Sequence, residues 1–238
     1  MSKLKLFAFP FAGSSSLGYL KWKKYLSESI ELMPVELAGR GSRMKNPFYK
    51  NFQEAVDDLY GQIQNDIQDE PYAFFGHSMG SVLAYELVHK IKQLGQREPT
   101  VIFMSGRRPP HINRREIFDS SFPEEQLKEN LLELGGATKE LFEDTQLAQT
   151  FIPILRADFE LMETYVYEAN REPLTAAIHV MTGIGDADVN RTDLKEWRNH
   201  TTNECTIAKF KGGHFYINDS FGIMIQQINR VLNSIQTA

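Results

Sequence analysis

The sequence predicts an α/β fold in which a mainly parallel central sheet carries helices on both faces. Two patterns predict it. Short apolar runs of strand length recur along the 238 residues, and segments with apolar residues at three- and four-residue spacing separate them. Strands that alternate with helices pair in parallel, because each helix must cross back over the sheet. A third observation adds detail: the alternation breaks once, between about residues 107 and 172, where helical periodicity continues with no convincing strand.

Leu4 to Phe9 is an apolar run closed by Pro10 and Gly13, and it reads as a buried strand. Tyr19, Leu20, Trp22, Lys23 and Leu26 suggest an amphipathic helix. Ile30 to Leu37 is the second strand, and Pro34 within it places it at an edge or a bend. Asn51 is an N-cap for a helix carrying Phe52, Ala55, Val56, Leu59, Ile63 and Ile67. Tyr72 to Phe75 is the third strand, followed from Met79 by a helix to Leu94 with Gly95 as its stop. Val101 to Met104 is the fourth. In the strandless stretch, Pro123 opens one helix and a longer one carries Phe151, Ile154, Leu155, Phe159, Met162 and Tyr165. The alternation resumes with strand Ala177–Thr182, a helix around Leu194 to Trp197, strand Thr206–Phe210 and a last helix from about Phe221 to Ile235. One domain over residues 1–238 is expected, with residues 107–172 as a helical lid, since so long a connection is uncommon without a function.

Composition narrows the function. A net charge of −5 argues against nucleic acid as partner, because phosphate binding needs a basic face. No run of about 18 apolar residues is present to span a membrane, and the first residues do not read as a signal peptide. A single cysteine, Cys205, excludes an internal disulfide, and no Cys/His cluster has zinc spacing. A cytoplasmic protein without metal or cofactor is expected, acting as a monomer.

Gly76-His77-Ser78-Met79-Gly80 is a G-x-S-x-G motif. With Gly and Ser each at about 7%, a bare match arises by chance in roughly one chain in ten of this length. The strand before it and the helix after it are therefore what carry the inference: together they form a nucleophile elbow, as in α/β-hydrolases, with Ser78 as nucleophile. A serine hydroxyl needs a base. Of six histidines, His214 alone follows the last strand, through Gly212-Gly213, at the sheet edge where Ser78 must lie. His77, His89, His111, His179 and His200 read as flanking, core, lid or loop residues. The acid should follow the preceding strand, within Gly183-Ile184-Gly185-Asp186-Ala187-Asp188. Asp188 is favoured because its Gly-x-x-Asp spacing from Gly185 lets the loop turn back toward His214; Asp186 is the alternative, better suited to bracing the turn. The backbone N–H groups of Met79 and of Ala12, in the small-residue loop Pro10-Phe11-Ala12-Gly13, are the expected oxyanion hole.

The chain resembles the type II thioesterases, editing enzymes of nonribosomal peptide and polyketide synthases. The likeness covers nearly the whole sequence and rests on Phe9-Pro10-Phe11-Ala12-Gly13, Pro34-Val35-Glu36-Leu37-Ala38-Gly39-Arg40-Gly41, Phe75-Gly76-His77-Ser78-Met79-Gly80, Ser105-Gly106-Arg107-Arg108-Pro109-Pro110, Leu134-Gly135-Gly136, Leu155-Arg156-Ala157-Asp158-Phe159, Trp197-Arg198-Asn199-His200-Thr201-Thr202 and Gly212-Gly213-His214-Phe215. It implies a triad of Ser78, Asp188 and His214, oxyanion donors from Phe11-Ala12 and Met79, and a lid over an acyl pocket. It also implies acyl or peptidyl carrier domains as partners, the substrate itself bringing the phosphopantetheine. Ser14 and Ser81 depart from the small residues common at those places, and the acidic loop lacks the proline that often follows the acid. A small-molecule esterase or lipase and a non-catalytic binding protein are the rival readings. Arg40, Arg43, Arg107, Arg108, Arg114 and Arg115 all follow strands toward the edge bearing Ser78, and are expected to form a basic carrier-docking patch.

Overall fold

Alternate side chains of the first strand, β1 (Leu4–Phe9), enter different apolar clusters: Leu4, Leu6 and Ala8 on one face, Phe7 and Phe9 on the other. Burial on both faces is the condition of a strand inside a parallel sheet, and the computed structural model, which describes residues 3–68, 70–112, 119–135 and 139–236, shows that sheet. With β2 (Ile30–Pro34), β3 (Tyr72–His77), β4 (Val101–Ser105), β5 (Ala177–Gly183) and β6 (Cys205–Phe210) it forms six strands in the order β2-β1-β3-β4-β5-β6, every neighbouring pair parallel. β2 is the edge strand that Pro34 foretold. It stops at that proline, three residues short of the predicted Leu37.

The segment Ser16–Lys24 is a 3₁₀-helix rather than the predicted amphipathic α-helix. Its buried residues, Tyr19 and Trp22, are three apart and so share one face at three residues per turn. It packs with α8 (Phe221–Gln236) on the face of Leu4, Leu6 and Phe75. The opposite face holds α1 (Phe52–Ile63), capped by Asn51, whose side chain accepts from the Glu54 N–H at 2.9 Å, and α2 (Met79–Gln93). Gly95 closes α2 at φ +68°. Its N–H donates to the Lys92 carbonyl, and the Gln96 N–H donates to that of Ile91.

Between β4 and β5 lie α3 (Glu124–Leu134), α4 (Lys139–Glu143) and α5 (Thr145–Glu163). Pro123 stands one position earlier than expected, as the N-cap of α3. Leu127 and Leu131 of α3 and Leu155 and Phe159 of α5 form a separate apolar cluster, which touches the sheet side through Ala12. α6 (Arg191–Lys195) and a 3₁₀ turn (Glu196–His200) precede β6, and α7 (Tyr216–Asp219) precedes α8.

From β1 the chain steps first to β2 on one side and then to β3 on the other. Loops leaving the carboxyl ends of β1 and β3 therefore diverge and open a crevice between them. One strong interaction sets the shape of the loop after β1. Arg40, 2% exposed, makes a bidentate pair with Asp158 of α5, 1% exposed, at 2.6 and 2.5 Å. Asp158 also accepts from the Gly13 N–H at 2.7 Å, and Arg40 donates to the Ser14 carbonyl at 3.0 Å. Asp158→Asn should cost about 3–5 kcal/mol by stranding a buried guanidinium, and the double change Arg40→Met with Asp158→Leu should recover most of that. Urea unfolding checks the stability. Activity should stay low in both, because neither holds the loop after β1.

Candidate active site

Ser78 joins β3 to α2 with φ 52° and ψ −116°, a conformation that non-glycine residues rarely adopt. Two glycines permit the turn. A Cβ on Gly76 would lie 2.1 Å from the Gly80 carbonyl oxygen, and one on Gly80 would lie 2.4 Å from that of Phe9. The elbow is tied to the neighbouring strand as well: the Ser78 N–H donates to the Ser105 carbonyl at 2.8 Å. The buried hydroxyl of Ser81 donates to the Gly76 carbonyl at 2.7 Å and accepts from the Ser105 N–H at 3.1 Å. The serine at 81, unusual at that place, is thus a brace for the turn.

His214 lies beyond β6, 6% exposed, and its Nδ1 is 2.9 Å from a carboxylate oxygen of Asp186. This corrects the sequence assignment of Asp188. Pairing between the strands does not stop at the end of β5: the Ile184 N–H reaches the Phe210 carbonyl at 2.8 Å and the Gly185 N–H reaches that of Gly212 at 2.9 Å. The close approach needs Gly183, where a Cβ would meet the Gly213 oxygen at 2.0 Å. Continued register brings the next residue, Asp186, beside His214. No turn back is needed, and the spacing argument that favoured Asp188 fails. The second oxygen of Asp186 accepts the Asp188 N–H at 3.0 Å, so it braces the loop too. Asp188 itself pairs with Arg108 at 3.2 Å.

Ser78 and His214 line one small cavity of about 40 Å³. Phe11 and Ala12 of the loop after β1 form part of its wall, and Leu131, Leu134, Leu155 and Phe159 from α3 and α5 form the rest with Phe215. Gly13 spends its N–H on Asp158, which leaves Phe11 and Ala12 as the donors this loop can aim at the cavity. Met79 is the first residue of α2, where a backbone N–H has no partner within the helix.

His77, read from the sequence as flanking the nucleophile, packs against His214. Fully buried, it contacts Phe11, Phe215 and His214, with its ring centroid 5.0 Å from that of His214. Its Nδ1 is 2.9 Å from the Ser105 hydroxyl, which meets the Tyr216 hydroxyl at 2.5 Å. Burial, reinforced by His214, holds His77 well below the ordinary histidine value, so the ring is neutral. Only the apolar neighbours of position 77 could have signalled this. A second histidine pair lies elsewhere: His111 Nδ1 is 2.7 Å from His200 Nε2, and His200 Nδ1 is 2.8 Å from the Tyr85 hydroxyl. His200 is buried, not in a polar loop as expected.

The proposed arginine patch is not assembled. Arg40 is buried against Asp158, Arg108 is 4% exposed against Asp188, and Arg43 makes a bidentate pair with Asp58 at 2.5 and 2.7 Å. Arginines on loops between buried elements find internal carboxylates, and a guanidinium so paired offers no free charge to a partner. Arg107 is half-buried, its carbonyl accepting from the Trp197 indole at 3.0 Å. Arg114 and Arg115 lie outside the described residues.

Residues 4–232 match the model of the thioesterase domain family. The chain belongs to that family. It is 33% identical over 90% of its length to the rat medium-chain S-acyl fatty acid synthase thioesterase, of which it covers 81%. It is 32% identical over 94% of its length to the gramicidin S biosynthesis protein GrsT of Aneurinibacillus migulanus, of which it covers 87%. Among solved structures, ClbQ from the colibactin nonribosomal peptide/polyketide pathway matches with a TM-score of 0.93 and 34% identity, over 99% of both chains. In this thioesterase no described helix is long and apolar enough to cross a membrane, and no cluster of metal-ligating side chains occurs among the described residues.

Asp186→Asn should lower kcat by three to four orders of magnitude, because the amide can hold the wrong imidazole tautomer. Asp188→Asn, which disturbs only the Arg108 contact, should lower it less than about tenfold; the reverse ranking would restore Asp188. Ser78→Gly should abolish turnover yet raise unfolding stability by about 1–2 kcal/mol, since glycine relieves the positive φ; denaturant midpoints check it.

Proposed function

We propose that the chain is a serine thioesterase of the type II class. It hydrolyses acyl groups, aberrant or stalled, from the phosphopantetheine arm of carrier domains in a nonribosomal peptide or polyketide synthase. The observation that carries the reading is the placement of Ser78 and His214 on one cavity, in a chain that matches ClbQ over 99% of both lengths. The relation to GrsT supports it.

In this reading His214 takes the Ser78 proton as Oγ attacks the thioester carbonyl, and Asp186 holds the Nδ1 proton and steadies the imidazolium. The Met79 and Ala12 N–H groups hold the developing oxyanion, each contributing about 3–4 kcal/mol in the transition state. The tetrahedral intermediate collapses by expelling the pantetheine sulfur, which His214 protonates; a thiol of pKa about 8.5 leaves more readily than an alcohol. Water, deprotonated by His214, then attacks the acyl-enzyme and frees Ser78. The thiol and the carboxylic acid are the products, so no co-reactant beyond water is consumed.

Helices α3 and α5 act as the lid. The cavity beneath them is small, about 40 Å³. A two- or three-carbon acyl group fits with slight adjustment, whereas a medium-chain group such as the rat relative's name specifies requires α3 and α5 to part. Acyl-carrier thioesters should therefore be hydrolysed with kcat/KM at least about tenfold higher for acetyl or propionyl than for dodecanoyl. Phe159→Ala should narrow that gap. Matched carrier, coenzyme A and p-nitrophenyl ester panels make the test. Preference for the oxygen ester would replace the proposal with an esterase, and a flat or inverted chain-length profile would remove the size argument.

A further inference from the structure

With three of the six arginines occupied internally, a carrier needs another surface, and the molecule has one beside the site. The 3₁₀ segment Ser16–Lys24 contains Lys21, Lys23 and Lys24 and no acidic residue, in a chain of net charge −5. All three lysines are exposed, and among the described residues none forms an ion pair. Interleaved with them, Leu17 is 63% exposed, Leu20 43% and Tyr25 58%; Ile223, from the adjoining α8, is 66% exposed. Lys21 lies over the Phe221 ring at 4.9 Å, and Tyr25 packs edge-on against the same ring at 5.2 Å, which fixes the segment against α8. Leu17, Leu20, Tyr25 and Ile223 bring apolar side chains together with the lysines on one exposed face, the composition an interaction surface requires.

This surface adjoins a hollow of about 350 Å³, whose walls include Phe11, Ser14, Leu17, Lys21, Ile217 and Asn218. Phe11 also lines the catalytic cavity. Its ring is edge-on to His77 and Phe215. The hollow and the catalytic cavity thus share Phe11, and the hollow also carries Leu17 and Lys21.

We infer that the face made by Leu17, Leu20, Lys21, Lys23 and Lys24 is the docking site for the carrier domain. An acidic helix of the carrier would lie on the lysines, with an apolar side chain against Leu17 and Leu20. The pantetheine arm would enter the hollow past Lys21, which meets its phosphate, and reach Ser78 along Phe11. The inference rests on the proposed function for its partner. Complementary charge places the carrier with the arm's attachment point above the hollow, and the leucines supply contact once the water is expelled. A lipid surface could also bind lysines and leucines, but it would not need a hollow that shares Phe11 with the catalytic cavity.

The experiment compares wild type with Lys23→Glu/Lys24→Glu and with Leu20→Ser, whose side chains do not line the hollow, on an acetylated holo-carrier domain and on acetyl-N-acetylcysteamine. The lysine variant should raise KM for the carrier about tenfold or more and flatten the fall of kcat/KM with added salt. The leucine variant should raise the same KM without changing the salt dependence. Both should hydrolyse the small thioester within about twofold of wild type, since that substrate has no protein surface to recognise. Should wild type itself fail to prefer the carrier over the small thioester, the proposed function falls and this surface with it. Should wild type prefer the carrier while both variants keep its KM, only the docking surface falls. Sedimentation with phosphatidylglycerol vesicles separates the lipid case: binding by wild type that the lysine variant loses, with carrier KM unchanged, would assign the face to a membrane and overturn the inference.

Discussion

The buried pair between Arg40 and Asp158 is the constraint on which the rest of the site depends. It joins three segments far apart in sequence: the loop after β1, the loop after β2 and helix α5. A buried ion pair is a poor source of net stability, since removing both charges from water costs several kcal/mol each. Here nearly every polar atom is used. Both carboxylate oxygens meet the guanidinium, one of them also takes the Gly13 N–H, and the guanidinium takes the Ser14 carbonyl; the Arg40 Nε alone lacks a partner. The return is geometric. The loop proposed to present backbone donors to a substrate has the Gly13 N–H and the Ser14 C=O, directly after Phe11 and Ala12, fixed in place. Because Asp158 belongs to α5, the same pair sets the roof of the cavity relative to its floor.

A second constraint is electrostatic. The ring of His77 sits 5.0 Å from that of His214. Two positive charges at that separation would repel by about 3 kcal/mol at an effective dielectric constant near 20. Burial keeps His77 neutral, so no such repulsion arises. His214 faces Asp186 through Nδ1. The Ser105 hydroxyl meets His77 Nδ1 and is itself held by the Tyr216 hydroxyl, and Tyr216 stands two residues after His214.

Charged side chains are divided between the interior and the surface. Acidic side chains are drawn inward to hold loops: Asp158 on Arg40, Asp188 on Arg108, Asp58 on Arg43, and Glu36 on the Ser16 N–H and hydroxyl at 3.0 and 2.7 Å. Arginine suits these sites because its fork binds a carboxylate at two points, while lysine, more strongly hydrated, stays in water. The exposed lysines of the 3₁₀ segment follow that rule.

Much of this was legible in the amino-acid sequence. Strand positions followed from apolar runs, and Pro34 marked an edge because it lacks an N–H. Ser78 and His214 were legible because a nucleophile and its base must sit where strands of a parallel sheet end, and local pattern locates strand ends. Asp186 was not. Choosing between it and Asp188 depends on how far β5 and β6 stay paired beyond their last predicted residues, and pairing between strands separated in sequence has no local signature. The arginines failed for a related reason. Their loops leave the correct edge, but whether a guanidinium faces water or a buried carboxylate is decided by partners more than a hundred residues away, as with Arg40 and Asp158. Periodicity, composition and turn chemistry are local, so the sequence by itself determined the order of elements, the parallel sheet and the residues proposed as nucleophile and base. The proposed acid, the neutral histidine beside His214 and the direction of each charged side chain depend on contacts made only when distant segments meet, and those the tertiary structure decided.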